Sequence, residues 1–392
     1  MSATVAGHSA DWDLRGISLI AFAHGASDFY SGLVPLVVYA AVARAGLSPA
    51  AQGAIVFTWY FTSSIVQPLF GAYADRRGKW WFLPGSISLT VVAVSIAAAS
   101  HAIPVLVVCT IVGGLGSAIM HPEAGRYTAQ LSGSQKARGV SIFQIGGQIG
   151  YACGPLVVAV LLSRFGDRGA LYLAIPGALA VAGLFGATRD LAGRASRRTS
   201  APATGGRADR FGIALLVAST ALRYLVNAAF MTYLPNLFAA HGDSLVVTGT
   251  IVTAFLFVSA IGLYAGGALA DRFDPLAITI GSLCASVPFF LAFLLLHGPA
   301  ALAALMVASI LLAMQNAPSV ALVQAMLPRN LGMALGLMNG VAFGIGSALV
   351  ALVGLAVGAF GPSQALVGMS FVPLLAALTY AIAGRRPAGA SA

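Results

Sequence analysis

Apolar residues in this chain fall into runs of about 20, separated by short polar breaks, and the pattern recurs almost from end to end. A helix of that length crosses the hydrocarbon core of a bilayer, whereas a half-buried soluble helix would show one apolar face only. The breaks place spans at Ile17–Ala43, Ala51–Tyr73, Trp81–Ser100, Pro104–Ala124, Gly139–Leu162 and Gly169–Ala187. A polar stretch rich in Arg, Ser, Gly and Ala follows over Thr188–Arg210. Six more spans come after it: Phe211–Phe238, Val246–Ala270, Leu276–Leu296, Pro299–Ala325, Leu331–Ala359 and Pro362–Ala383. The expectation is an all-α integral membrane protein of about twelve transmembrane helices.

The second six spans echo the first. Gly71-Ala-Tyr-Ala-Asp75-Arg76-Arg77-Gly78-Lys79 closes the second span, and Gly267-Ala-Leu-Ala-Asp271-Arg272-Phe-Asp274 closes the eighth. The offset, 271 − 75 = 196, is half of the 392 residues, and it recurs between Pro122 and Pro318 and between Gly150 and Gly346. Near the first and seventh spans it becomes 200 (Pro35 and Pro235), so the connecting loops differ in length. Six spans per unit set both copies the same way up, related by an axis along the membrane normal. The organisation expected is one pseudo-symmetric six-helix bundle over 1–187, a flexible cytoplasmic linker over 188–210 and a second bundle over 211–392.

Composition agrees: 59% of residues are hydrophobic and only 8% charged, against roughly 25% charged in soluble domains. A net charge of +10 raises nucleic acid as a partner, but the placement of the charges argues otherwise. With both termini inside, 17 of the 21 Lys and Arg lie in or beside cytoplasmic segments, six of them in the central linker. Only Arg44, Arg164 and Arg168 fall outside, and Arg223 lies within a span. This is the positive-inside bias, so basicity reports orientation, with anionic lipid as a further contact of the linker. The 19 Arg against 2 Lys suit a GC-rich bacterium, hence an inner-membrane protein, expected as a monomer. Cys109, Cys153 and Cys284 all fall in spans and form no disulfide framework. The N-terminus lacks a signal-peptide pattern, so the first helix is expected to stay.

Ionisable residues inside spans carry the candidate chemistry, because each is costly in lipid unless it faces water or a partner. Glu123, the only glutamate of the chain, sits in His121-Pro122-Glu123-Ala124-Gly125-Arg126 after an apolar run. Arg126 is three residues on, on the same helical face. Two readings stay open: a buried structural ion pair beside a proline kink, or a proton- or substrate-handling site. His24 and Asp28 are four apart and share a face of the first span. A carboxylate withdrawn from water at mid-membrane suits reversible proton uptake, with a hydrogen-bonded structural aspartate as the alternative and Glu123 as the competing carrier. Arg223, with Tyr224, Asn227 and Tyr233 further along, offers a forked donor for a carboxylate, phosphate or phosphonate. Alternatively it is the counter-ion of Asp28 or Glu123. Gln144, Gln148, Gln315 and Asn316 are neutral hydrogen-bonding candidates that also read as polar packing.

Twelve spans in two parallel halves, with G-x-x-x-D-R-x-G-[KR] after the second, resemble the major facilitator superfamily. The resemblance implies that the first, fourth, seventh and tenth helices line a central cavity. It also implies gating by Gly71, Asp75, Arg76 and Gly78 and by their weaker copies Asp271 and Arg272, with the acid set against a helix N-terminus. Gly146-Gly147-x-x-Gly150-x-x-x-Gly154-Pro155 resembles the motif of the antiporter branches, although Val158 and Ala159 replace its trailing glycines and Thr110 stands where exporters often carry arginine. Small residues at this spacing also simply let helices approach. His24-x-x-x-Asp28, H-P-E-A-x-R, Phe143-Gln144-x-Gly-Gly147 and Gly336-x-x-x-Gly340-x-Ala-Phe-Gly344 are similar to the fosmidomycin-resistance family. This implies a proton-driven exporter of a small organic, anionic or phosphonate-like molecule or drug. No G-x-x-x-x-G-K-[ST] occurs, so a proton gradient, with no cofactor, is the expected energy source. The rivals are a transition-metal exporter using His24, Asp28, His121 and Glu123, a proton-coupled uptake symporter, and a membrane-embedded enzyme. The last has no nucleophile motif and no H-E-x-x-H behind it.

Overall fold

The computed structural model describes residues 12–70, 73, 79–133, 135–195, 210–327 and 336–384, and these residues form helices and turns with no strand. The spans are α1 (Leu14–Arg44), α2 (Pro49–Tyr60, continued by a π-turn at Phe61–Ile65), α3 (Phe82–Ala99), α4 (Ile103–Leu131), α5 (Lys136–Phe165) and α6 (Asp167–Tyr172 and Ala174–Ala195). The second set is α7 (Arg210–Ala240), α8 (Leu245–Ala270), α9 (Pro275–Leu295), α10 (Gly298–Met314 and Asn316–Met326), α11 (a π-turn at Gly336–Val341, then Ala342–Ala348 and Val350–Phe360) and α12 (Pro362–Ser370 and Val372–Gly384). Eleven of the twelve are long and apolar enough to cross a membrane as continuous stretches; α2 is the exception, its α-helical part ending at Tyr60. Several boundaries lie beyond those expected. α4 runs through Pro122 to Leu131, so the whole His121–Arg126 string is helical, and α6 continues to Ala195. α10 breaks at Gln315.

The duplication reaches down to single turns. Ser48 and Ser244, 196 apart, cap α2 and α8 in the same extended conformation, each accepting a hydrogen bond from a backbone N–H three residues on at 3.3 Å. Two residues before each cap stands a glycine with positive φ, Gly46 and Gly242. A Cβ is disfavoured in that region.

Helix packing follows the same symmetry. α1 packs most extensively on α5, and α7 packs on both α11 and α12; α3 pairs with α4 and with α6, as α9 does with α10 and α12. The two six-helix bundles meet along α2–α11 and α5–α8. Gly53 of α2 and Gly249 of α8, again 196 apart, lie at these seams, where a Cβ would come within 3.2 Å of the α11 backbone and within 2.8 Å of the α5 backbone respectively.

Hydrogen bonds between the bundles sit toward the end of the molecule that carries Gly46 and Gly242. Gln52 Nε2 donates to the Thr232 carbonyl at 2.6 Å. The Tyr233 hydroxyl reaches the Val350 and Pro49 carbonyls at 3.2 and 3.4 Å. The Leu156 N–H donates to Thr253 Oγ1 at 3.1 Å. Nearer the middle, the Tyr151 hydroxyl meets Met231 Sδ at 3.4 Å. Among the described residues, the bundles are thus laced together at one end, opposite the end at which α6 stops and α7 starts.

Candidate functional site

The glycine stripe of α5 determines where α1 can lie. A Cβ on Gly146, Gly150 or Gly154 would stand 2.2, 2.0 or 2.5 Å from the carbonyl oxygens of Ala21, Gly25 and Phe29. The two backbones are therefore in direct contact, which only glycine permits. Gly147 adds a specific consequence: a Cβ there would fall 2.4 Å from the His24 ring. His24 occupies that space, stacked on Phe143 at 3.9 Å between ring centroids.

Asp28 stands between two imidazoles. Its Oδ2 is 3.0 Å from His24 Nε2, and its Oδ1 is 3.4 Å from His121 Nε2, across from α1 to α4. The far nitrogens are committed: Nδ1 of His24 lies 2.8 Å from the Phe143 carbonyl and Nδ1 of His121 lies 2.8 Å from the Ser117 carbonyl. A carbonyl oxygen only accepts, so both Nδ1 atoms carry hydrogen and both Nε2 atoms present their exchangeable position to the carboxylate. Each Nε2···O contact closes only with a proton between the two atoms, and protons on this cluster belong to all three groups together. His24 is buried, whereas Asp28 and His121 keep side-chain exposures of 16% and 29%. That exposure leaves the cluster open on one side.

Glu123 is fully buried and bound side-on by Arg126, with Nη2 2.5 Å from Oε1 and Nε 3.2 Å from Oε2. The guanidinium also lies 4.7 Å from the Tyr127 ring centroid. Of the four side chains considered together for proton handling or metal ligation, the fold brings His24, Asp28 and His121 within 4.8 Å of one another. It gives the fourth, Glu123, to Arg126.

Arg223 is the counter-ion of neither acid. It is 4% exposed, lies 3.7 Å over the Tyr224 ring, and has no carboxylate paired with it among the described residues. Tyr224 and Asn227 line a narrow cleft between the bundles, together with Tyr60, Tyr151, Met231 and Phe343. Tyr224 and Tyr60 each meet Phe343 edge-on, at 5.0 and 5.7 Å.

The remaining candidates are dispersed. Tyr233 is fully buried with its hydroxyl spent on the Val350 and Pro49 carbonyls, so it belongs to the laced end and stands apart from Arg223. Gln315 is fully buried at the break of α10, its Oε1 accepting from Tyr380 at 3.1 Å, and Asn316 beside it is half-buried. Gln144 and Gln148 are half-buried on α5. Gly154 packs on α1, and the Pro155 carbonyl faces Gly249 of α8. Asp271 and Arg272 form an exposed turn after α8, while Gly71, Asp75, Arg76 and Gly78 lie outside the described residues.

Residue-by-residue reading of the sequence passes over Ser117 and Phe143 as tautomer-fixing partners and over Tyr60, Tyr151 and Phe343 as cleft walls. Aromatic residues on spans two, five and eleven were the available signal for the walls. Nothing in a sequence announces a carbonyl that will face an imidazole.

Comparison with known proteins agrees with this architecture. A profile of the Major Facilitator Superfamily matches residues 17–214 and 216–392. An uncharacterized MFS-type transporter of Bacillus subtilis (strain 168), YfnC, is 28% identical over 377 residues, covering 92% of this chain and 91% of that protein. The fosmidomycin resistance protein of Escherichia coli (strain K12) is 26% identical over 372 residues, with 93% and 91% covered. Among solved structures, a bacterial homologue of the human lysosomal transporter Spinster, in an inward-facing and occupied conformation, superposes with a TM-score of 0.78 at 16% identity, over 95% of this chain and 97% of that one. The nucleoside transporter NupG does so with a TM-score of 0.73 at 14% identity, over 94% and 99%. With twelve helices in two matched bundles, and a profile match that runs from α1 to the last residue, the chain belongs to the Major Facilitator Superfamily and is a multi-pass membrane transporter.

Proposed function

We propose that the protein is a proton-coupled antiporter that exports a small organic anion, phosphonate-like molecule or anionic drug across the bacterial inner membrane by alternating access. The observation that carries this reading is the His24–Asp28–His121 cluster, whose two fixed tautomers aim both exchangeable positions at one carboxylate. Proton uptake there and release on the opposite side would bias the rocking of the bundle over 1–187 against that over 211–392. The kinship with a fosmidomycin resistance protein supports drug cargo and export. Lacing at the end away from the linker, together with the positive-inside bias, supports a conformer closed on its outer side, with both termini inside. Asp75 with Arg76, and Asp271 with Arg272, are proposed to hold conformations without touching substrate, and the transporter is proposed to act as a monomer.

The test is flux in proteoliposomes under an imposed pH gradient. Wild-type protein should drive substrate against its own gradient when the trans side is acidic, and a protonophore should abolish this. Asp28→Asn should remain inserted and folded yet lose gradient-driven transport; full coupled flux from that variant removes the cluster from the mechanism. Transition-metal cargo is the second reading, favoured by the three converging ligand atoms, and inhibition of flux by Zn²⁺ or Mn²⁺ with saturable metal uptake would select it. The direction of net flux separates export from uptake, and chemical conversion without flux would mark an enzyme.

A further inference from the structure

The substrate's charged group can be read from Arg223. Its Nε and Nη2 are buried and neither has a hydrogen-bond partner among the described residues. An unpaired buried charge is strongly disfavoured, and stacking on the Tyr224 ring offsets only part of that. The shape of what would satisfy it is also fixed. Nε and Nη2 share one edge of the guanidinium, and Arg126 uses those same two donors to hold the Glu123 carboxylate side-on. One arginine of this protein thus displays the complement of the edge that the other leaves unpartnered.

A neighbouring donor points the same way. The Tyr380 hydroxyl bridges Thr220, at 2.8 Å, and Gln315 Oε1, at 3.1 Å. Thr220 lies one turn before Tyr224 on α7, so this bridge ties Gln315 to the stretch of α7 that carries Arg223. Because Oε1 is engaged, Gln315 presents its NH₂, and that Nε2 is buried without a partner as well. Asn227, one turn beyond Arg223 on the same helical face, lines the cleft, whose other walls include Tyr60, Tyr151, Tyr224 and Phe343. One forked cation, one amide donor and four aromatic walls describe a planar monoanion with a flat apolar body.

We infer that the transported substrate is an aromatic monocarboxylate, its carboxylate held side-on by Arg223 with Gln315 as second donor and its ring turned toward the aromatic side chains of the cleft, which must widen to admit it. This rests on the reading above that the cargo is an organic anion, and narrows it from phosphonates and drugs at large to carboxylates. A phosphonate dianion would bring two charges to one guanidinium.

Thermal-shift and calorimetric titration of the full-length protein in nanodiscs tests it with three probes: benzoate, benzamide and phenylphosphonate. Benzoate should stabilise the wild type saturably, benzamide should not, and phenylphosphonate should bind about tenfold more weakly or worse. Arg223→Lys keeps the charge but not the fork, and should lose benzoate affinity by about tenfold or more while its ligand-free melting temperature stays near wild type. Gln315→Leu should weaken benzoate to a smaller degree. Benzoate bound equally by Arg223→Lys, phenylphosphonate bound as tightly as benzoate, or no binding of benzoate at all overturns the inference. Gradient-driven export of a drug that lacks a carboxylate, with no benzoate binding, would sink this inference and leave the antiport reading standing. Benzoate binding and flux indifferent to the pH gradient would do the reverse.

Discussion

His24 keeps its ring beside Asp28 because position 147 has no side chain. Gly147→Val would drive the imidazole off the Phe143 carbonyl, and the resulting misplacement should reduce coupled transport by about tenfold to a hundredfold. Flux in proteoliposomes, normalised to inserted protein, measures this. Gly183→Ala, where an added Cβ meets nothing within 4 Å, is the matched control and should be neutral. The Glu123–Arg126 pair behaves differently, since Glu123 is fully buried. Arg126→Ala strands a buried carboxylate and should destabilise the folded protein by about 3–5 kcal/mol. Removing both charges, with Glu123→Gln and Arg126→Gln together, should restore most of that loss. Melting of the single and double variants in detergent provides the comparison, and equal losses in both would show that the loss does not come from a stranded charge. At this scale the sequence was informative only within one helix. Spacings of four and three announce His24 with Asp28 and Glu123 with Arg126, whereas the meeting of His121 with His24 and Asp28 entered only as one alternative, through the resemblance that sets the first and fourth helices on one cavity.

Among the elements, the contact of α1 with α5 is the most demanding, because three glycines in register bring two backbones together. Gly150→Leu would place a side chain where the Gly25 carbonyl stands and should push the helices apart. Loss of folded protein or a melting temperature lower by several degrees is expected, as overpacking of a close interface costs about 1–3 kcal/mol or more. Gly267→Ala, whose new Cβ would sit 3.5 Å from the nearest side-chain atom, should be tolerated. The motif that resembles the antiporter signature therefore has a complete packing explanation in this fold, and its presence does not by itself argue for exchange. Where the helices lie was legible from apolar run lengths. The π-turns of α2 and α11 and the break of α10 at Gln315 were not, since they depend on how neighbouring helices meet the backbone.

For the whole molecule, a few hydrogen bonds hold one end shut. Gln52→Ala and Tyr233→Phe each remove a link between the bundles, and a net hydrogen bond contributes about 1 kcal/mol. Each variant should shift the conformational equilibrium roughly fivefold toward opening at that end. Spin labels at positions 47 and 241, on the loops of that end, would report the change as a longer distance population. An unaltered distribution in the double variant would show that the lacing is incidental to gating. Tyr233 illustrates how position along a helix misleads: it follows Arg223 on α7, yet its hydroxyl serves the seam.

The amino-acid sequence by itself determined that this chain lives in a bilayer, how many times it crosses and that it is built twice over. Lipid offers the backbone no hydrogen bonds, so the lengths of apolar runs and the recurrence of caps and turns at a 196-residue offset leave few alternatives. The tertiary structure alone decided which of the open pairings between helices were made. It joined Asp28 to a histidine from another helix, kept Glu123 with its own Arg126 and left the Arg223 fork without a carboxylate among the described residues. Pairing of buried charges is settled by distances of a few ångströms between helices far apart in sequence, and only the packed bundles set those distances.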